Sequence, residues 1–355
     1  MPASTRRRAG AALAAVALTA AVAAVAGSAA AGPAAAVPAA PGPQAASSFA
    51  VIGDTPYGAS AVAEFPEHVA QLNADSSLDF VVHVGDIKNG SSECSDAYFE
   101  QVRADFDRFT HPLVYTPGDN EWTDCHRANN GAYSPLERLG KLREVFFDDP
   151  GKTLGATMPV RSQSELGLPE NVAFTRNRVA FAAVNVPGSN NATQPWTGRG
   201  ETAPNQAQLD EVAHRTDAVI AEIRKTFAEA RQRNDRTVAV FQQADMFDPT
   251  YTVPWSDISA FTPIVEALVE EAQAFDGEVY LFDGDSHVYN VDRPLAAGSP
   301  WLARYGVTGS ADNLTRVTVD GSSNAKNYLR VNVAPNGAAG TGAPVLSWER
   351  VPFSG

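Results

Sequence analysis

Residues 80–89 read Phe80-Val81-Val82-His83-Val84-Gly85-Asp86-Ile87-Lys88-Asn89. A short, β-rich and mainly apolar run closes on Gly-Asp, the pattern of a strand covered on both faces that delivers an acid to a loop. The phrase recurs on either side: Phe49–Ile52 precedes Gly53-Asp54, Leu113–Tyr115 precedes Gly118-Asp119, and Val279–Phe282 precedes Gly284-Asp285. Val179–Val186 and Val238–Phe241 are further runs of the same kind. Helical spacing of apolar residues lies between them, at Val62, Phe65, Val69 and Leu72, at Phe99, Val102, Phe106 and Phe109, and at Leu209, Val212, Ile220, Ile223 and Phe227. Ser134, Pro135 and Glu137 predict one more helix start, with a side-chain cap and a reciprocal glutamate, running to about Phe147. Alternating strands and helices imply parallel or mixed sheet covered by helices. After residue 290, Leu314–Val319, Tyr328–Val333 and Val345–Val351 follow one another without helices, which predicts a second, more antiparallel sheet closing one domain over 49–355.

The chain has 355 residues, 44% hydrophobic and 19% charged, enough for one large core or two modest ones and unlike a disordered chain. Residues 1–31 carry Arg6, Arg7 and Arg8, no acid, and then a long Ala/Val/Leu stretch ending in small residues, the layout of a bacterial-style export signal. A membrane anchor is the competing reading, because the apolar run approaches spanning length, but alanine dominates it. The adjacent arginines also admit twin-arginine export, although the residues after them do not reinforce it, so general secretion is the expected route. Residues 32–48, rich in Ala and Pro and without charge, read as a flexible leader. Cleavage would leave a secreted protein with no stable membrane anchor and would move the formal charge from −14 to −17 by removing three arginines. With no basic run beyond the signal, neither nucleic acid nor an anionic membrane surface is an expected partner. The two cysteines, Cys94 and Cys125, lie in polar, loop-like sequence, and export favours a disulfide between them over two unlinked thiols.

The acids that follow the strands are the chemical signal. Asp54, Asp86 and Asp119 are spaced 32 and 33 residues apart, one strand-helix unit each, and Asp285 comes with His287, an imidazole that suits transition metals. Loops at the carboxyl ends of strands in such sheets converge on one crevice. Four carboxylates gathered there would repel one another unless a cation compensates them, and a divalent metal is the economical answer. Each acid alone reads as ordinary turn or cap chemistry; the joint pattern is what points to a site.

The segments Ile52-Gly53-Asp54-Thr55-Pro56-Tyr57, Val84-Gly85-Asp86-Ile87-Lys88-Asn89, Pro117-Gly118-Asp119-Asn120-Glu121 and Gly284-Asp285-Ser286-His287 resemble, in order, the motifs of calcineurin-like metallophosphoesterases. The resemblance covers about 49–290 and implies a four-layer α/β/β/α sandwich of two mixed sheets flanked by helices, holding two metal ions. It further implies that Asp54 ligates one ion, that Asp86 bridges both, and that His287 completes the first site. This chain departs from the family pattern at several ligand positions. Pro56 stands where the family has histidine, Asp119 replaces a ligand asparagine, Asn120 replaces the histidine that contacts substrate, and Asp285 replaces a histidine. Where another histidine normally follows the strand at 238–241, Gln242, Gln243 and Asp245 occur; Asp245 could supply a carboxylate or merely cap a turn, and Gln243 a neutral oxygen.

Carboxylate for imidazole hardens the ligand set and favours Mn²⁺, Mg²⁺ or Ca²⁺, with Fe or Zn remaining open. Lys88 could hold a phosphate oxygen or pair with a neighbouring acid. His83, inside a buried strand, reads as structural, and Asn185, Asn190 and Asn191 either face the cleft or stabilise turns.

The expected function is exported, metal-dependent hydrolysis of a small-molecule phosphoester by metal-bound hydroxide, with Asn120 orienting the phosphate through its amide. Asn120 cannot serve as the general acid that an imidazole can be. A non-catalytic protein that binds metal or phosphate in the same cleft is the alternative. A haloacid-dehalogenase reading of Asp283-Gly284-Asp285 fails because that nucleophile normally precedes most of its fold, and Gly-x-Ser-x-Gly does not occur.

Overall fold

The computed structural model describes residues 47–335 and 344–354. The expected export signal and nearly all of the expected leader lie outside the described residues. The leader's last two positions, Ser47 and Ser48, already belong to the first strand, β1 (Ser47–Ile52). Along β1 the side chains alternate between two buried surroundings. Phe49 and Val51 face a second sheet while Ala50 and Ile52 face helices, so the run is apolar throughout.

Sheet one contains β1, β2 (Leu78–His83), β3 (Pro112–Tyr115), β4 (Leu154–Gly155), β12 (Asn327–Val333) and β13 (Leu346–Pro352), in the order β13-β12-β1-β2-β3-β4. Sheet two contains β5 (Arg161–Gln163), β6 (Leu168–Arg176), β7 (Val179–Ala183), β8 (Thr237–Phe241), β9 (Glu278–Asp283), β10 (Asn290–Asp292) and β11 (Leu314–Thr318), in the order β10-β11-β9-β8-β7-β6-β5. Both sheets are mixed. The layer between them is aromatic: the Phe49 ring stacks on Phe80 at 4.9 Å and meets Phe181, Phe241 and Phe282 edge-on at 5.5–6.0 Å. Fully burying rings of this size contributes about 1.5–3 kcal/mol each.

Helices α1 (Gly58–Ala74), α2 (Asp96–Phe106) and α3 (Pro135–Phe146) cover the outer face of sheet one, placing Phe65, Val69, Leu72, Phe99, Val102 and Leu142 in one cluster. Helices α4 (Gln206–Arg233) and α5 (Thr262–Gln273) cover sheet two through Val219, Ile223, Phe227, Ile264, Val265 and Leu268. The architecture is therefore the four-layer α/β/β/α sandwich. Helix α4 starts at Asn205, whose side chain accepts from Gln208 N at 3.0 Å, and stops at Asn234 in the left-handed region, φ 54°. At the start of α3 the expected cap is absent: Pro135 opens the helix, but Ser134 makes no side-chain cap bond and Glu137 pairs with Arg138 instead.

The strands after residue 290 do not form a sheet of their own. β11 lies parallel to β9 in sheet two, whereas β12 lies antiparallel to β1 in sheet one and carries β13 at its edge. The late strands are thus divided between the sheets: β11 extends sheet two beside β9, while β12 and β13 pair with each other and extend sheet one beside β1. Parallel neighbours β1, β2 and β3, and likewise β8 and β9, end at the same border, which brings the Gly-Asp turns together.

Candidate metal centre

The turns after the parallel strands are tied to one another through the backbone. Asp54 N donates to Gly85 O at 2.9 Å, and Gly284 N donates to Gln243 O at 3.0 Å. The two sheets meet where Asp285 N donates to both carboxylate oxygens of Asp54 at 3.1 Å. Asp54, Asp86, Asp285 and His287 all have positive φ, between 51° and 68°. Outside glycine this conformation is costly, although Asp and His visit it more readily than most residues, and such positions cluster at functional sites.

Ligand atoms of Asp54, Asp86 and His287 lie within 4.8 Å of one another, and so do those of Asp86, Asp119 and Asp285. Asp86 is the member common to both sets. His287 Nε2 lies 3.3 Å from Asp54 Oδ1. Asp86 Oδ1 accepts from Asn120 N at 3.1 Å, and its Oδ2 accepts from Asn120 Nδ2 at 2.6 Å and from the Tyr57 hydroxyl at 2.9 Å. Asp119 is held by Gln243 Nε2 at 3.1 Å and Ser189 Oγ at 2.8 Å, and Gln243 Oε1 in turn accepts from Gly188 N at 2.6 Å. Gln243 therefore positions Asp119.

Glycines let backbone approach these acids: a Cβ at Gly118 would sit 2.1 Å from Asp86 Oδ1, one at Gly188 2.9 Å from the Asp119 carboxylate, and one at Gly284 2.2 Å from Asp54 Oδ2. Carboxylate oxygens from four acids with one imidazole, grouped in two sets that share a member, could hold divalent metal ions.

Burial dominates the electrostatics. It pushes Asp86 and Asp285 well above the usual carboxylate range, and the neighbouring Asp119 pushes both further. Burial also raises Asp54, with His287 opposing. For His287 burial works downward, and the Asp54 carboxylate outweighs it, so the imidazole ends above its ordinary value. Tyr57 is held far above a normal phenol by burial, Asp86 and Asp54, and so keeps its proton. Without cations the cluster thus favours protons on its acids; divalent charge would reverse that preference.

Two residues expected at the site have partners of their own outside the two ligand sets, although Asp245 lines the cavity beside Asp285. Asp245 lies outside both ligand sets and forms a buried ion pair with Arg316, while accepting from Phe247 N at 3.0 Å. Lys88 is fully buried, and its ammonium donates to the carbonyls of Asn120 at 2.7 Å and Asn89 at 2.9 Å rather than reaching into the cleft. Asn120 reaches the cluster by gripping Asp86. His83 is structural, with Nε2 2.9 Å from Thr55 O and Nδ1 accepting from Gly85 N at 3.2 Å. Asn185 and Asn191 bond Glu170 and Thr216, away from the ligands.

Sequence reasoning missed Tyr57, Glu121, Ser189 and Asp124. Glu121 Oε1 accepts from Asp86 N, Gly118 N and the Tyr115 hydroxyl at 3.1, 2.7 and 2.9 Å, and so locks the second turn to the third. Ser189 Oγ, 2.8 Å from Asp119 Oδ2, also lies 2.9 Å from Asp124 Oδ1. It begins a run of four residues, Ser189–Ala192, with φ between 49° and 63°. Tyr57 and Glu121 fall inside the motif segments, and Ser189 adjoins the flagged asparagines, so position was a usable signal even though role was not.

Cys94 and Cys125 form a disulfide with Cα atoms 5.8 Å apart, tying the segments after the second and third turns. Beside Asp285 opens a cavity of about 370 Å³ lined by Arg127, Ser189, Asn190, Asp248, Tyr251 and Asp257. Arg127 is paired with Asp124 at 2.7 Å. Among the described residues no helix is long and apolar enough to cross a membrane.

No protein-family model matches this chain, and no curated protein does. Among solved structures, GAP50, the anchor in the inner membrane complex of Plasmodium, is similar with a TM-score of 0.43 and 11% identity, over 88% of this chain and 90% of that one. A 5'-nucleotidase precursor from Thermus thermophilus is similar with a TM-score of 0.42 and 11% identity. That match covers 87% of this chain and 54% of the nucleotidase, so this chain spans about half the nucleotidase's length.

Proposed function

We propose that the protein is an exported, metal-dependent hydrolase of small-molecule phosphoesters, of the metallophosphoesterase type. The observation that carries this reading is the pair of ligand sets that share Asp86. Two bound divalent ions supply activation of water and neutralisation of phosphoryl charge. Asp54 and His287 hold one side of the centre, Asp119 and Asp285 the other, and Asp86 joins them. Gln243 and Ser189 keep Asp119 in place. Arg127, which lines the cavity and is paired with Asp124, carries the positive charge able to meet a phosphoryl oxygen. The leaving group would lie against Asp248, Asp257 and Tyr251, a wall that disfavours further anionic groups on it. With Asn120 in place of an imidazole, the Tyr57 hydroxyl is the protein proton donor at the centre, and it is a weak one. Turnover should therefore be faster with good leaving groups.

The disulfide accords with an oxidising compartment and hence with secretion. The net charge of −14 speaks against nucleic acid as a partner.

A second reading, binding without turnover, draws on one observation: Tyr57 and Asn120 both donate to Asp86 Oδ2, so protein donors already serve that oxygen. Elemental analysis of protein purified without chelators, followed by hydrolysis of aryl and alkyl phosphoesters with Mn²⁺, Mg²⁺, Ca²⁺, Fe²⁺ and Zn²⁺, separates the readings. Bound metal with metal-dependent release of phosphate supports the hydrolase, metal without hydrolysis supports the binding protein, and no metal at all contradicts the hydrolase and the metal-binding form of the alternative.

A further inference from the structure

Four successive residues beyond β7, Ser189–Ala192, hold φ between 49° and 63°. A left-handed run without glycine is costly and persists only where its surroundings hold it in place. The first three residues of this run are held by three different parts of the protein. Ser189 Oγ lies 2.8 Å from Asp119 Oδ2 and 2.9 Å from Asp124 Oδ1. Asn191 donates to Thr216 Oγ1 of α4 at 3.0 Å and accepts from Arg215 of the same helix. Asn190, which is buried, reaches the segment 256–260: its Nδ2 donates to Ser256 O at 2.8 Å, and its Oδ1 accepts from Ala260 N at 2.9 Å. A carbonyl on one side and an N–H on the other dictate which end of the amide faces which, and engage both ends.

The segment that Asn190 holds is one wall of the cavity beside Asp285. Asp257 and Ile258 line that cavity, with Phe261 just after them and Ser189 and Asn190 across from the same space. Ile258 and Phe261 also belong to the apolar cluster of Val219 and Ile264, so the wall stays attached to the fold without Asn190. What the amide adds is a fixed spacing. Asn190 ties the wall to the left-handed run, and its neighbour Ser189 ties that run to Asp119.

We propose that Asn190 is a positioning residue for substrate specificity: it sets the spacing between the cavity wall at 256–260 and the metal centre, and with it the fit of the leaving group. The inference rests on the reading of the site as a phosphoester hydrolase whose leaving group occupies this cavity. The phosphoryl group meets the ions and does not reach the wall. Loss of the amide should therefore weaken recognition of an ester and leave inorganic phosphate and the ions alone. A residue that served only the fold would weaken all three together or none.

The test uses the full chain loaded with Mn²⁺ and the substitution Asn190→Gly, since glycine adopts φ near 55° without strain and lacks the amide. For 4-nitrophenyl phosphate KM should rise about tenfold, the scale on which a pocket of the wrong size discriminates, with kcat within about twofold of wild type. The inhibition constant of inorganic phosphate and the bound Mn²⁺ should not change. An unchanged KM would overturn the proposal, and so would equal losses for ester and inorganic phosphate, a loss of Mn²⁺, or failure of the variant to fold.

Should wild type release no phosphate from the ester, the hydrolase reading fails on the unsubstituted protein. Asn190 is then decided by titration calorimetry. The ester should bind wild type more tightly than inorganic phosphate does, and Asn190→Gly should lose about tenfold for the ester alone. No preference for the ester in wild type, or the same preference in the variant, would overturn the positioning role.

Discussion

Replacing Asp86 by Asn exchanges one oxygen for an amide and leaves shape almost unchanged. In chelated protein the substitution should be tolerated, because Asn imitates the protonated carboxyl that burial and Asp119 already favour at this position. Re-sorting the bonds to Tyr57 and Asn120 costs about 1 kcal/mol at most, and an amide, unlike the carboxyl, never ionises beside Asp119, which offsets it. The metal response should differ sharply. At a free ion concentration 100 times the dissociation constant, binding to the folded state stabilises wild type by about 2.7 kcal/mol. For a domain of this size that corresponds to a rise of about 5 °C in melting temperature. Loss of the shared ligand should weaken affinity at least as much as losing an outer partner does, about 100-fold, which leaves about 0.4 kcal/mol and a rise near 1 °C at the same concentration. Calorimetric melts of both proteins, with chelator and with Mn²⁺, measure this. Metal-free Asp86→Asn should melt no lower than wild type. Equal metal-induced rises would refute the shared role and leave Asp86 an ordinary turn residue.

The Mn²⁺-induced rise should also grow from pH 5 to pH 8. Asp54, Asp86 and Asp285 have raised folded pKa values, and Asp124 is held up at about 7 by burial and Asp119, so the metal-free fold gains from bound protons and loses that gain as pH rises. Ions need the deprotonated acids; a rise larger at pH 5 than at pH 8 would contradict this. Gly188→Ala should push the Asp119 carboxylate aside, since the new Cβ would lie 2.9 Å from it, and lower the bound-metal stoichiometry from two to one by elemental analysis. An unchanged stoichiometry would remove Asp119 from the ligand set. Asn120→Ala should cost less metal affinity than Asp86→Asn, and the reverse order in titration calorimetry would assign the central role to Asn120. Replacing both cysteines by serine should lower unfolding free energy by about 3 to 4 kcal/mol for a closed loop of 31 residues. Denaturant titration giving a loss below about 1 kcal/mol would show that the unfolded chain gains little from the bond.

The strands that carry Asp54, Asp86, Asp119 and Asp285 were legible because a strand buried on both faces is apolar at nearly every position, as Phe49–Ile52 is. β6 was not. It buries Glu170 and Asn171, which read as loop residues until Arg143 pairs with Glu170 at 2.6 Å and Gln163 with Asn171 at 2.9 Å. For the late strands, existence was legible and partner was not. Alternation identifies β11 and β12, but nothing local says that one completes the edge at β9 and the other the edge at β1. At the site, residue type and spacing exposed the acids. Side-chain direction stayed hidden: Lys88 is buried against the carbonyls of Asn120 and Asn89, and Asp245 is taken by Arg316, 71 residues later. Tyr57, Ser189 and Glu121 act through contacts between segments that no spacing records.

The central claim, two ions joined through Asp86, is tested most directly by crystals grown with Mn²⁺ and measured at the manganese absorption edge. Two anomalous peaks should appear on either side of the Asp86 carboxylate, about 3.5–4 Å apart. One peak should lie against Asp54 and His287, and the other against Asp119 and Asp285. Saturating Mn²⁺ with no peak within coordination distance of Asp86 would contradict the account.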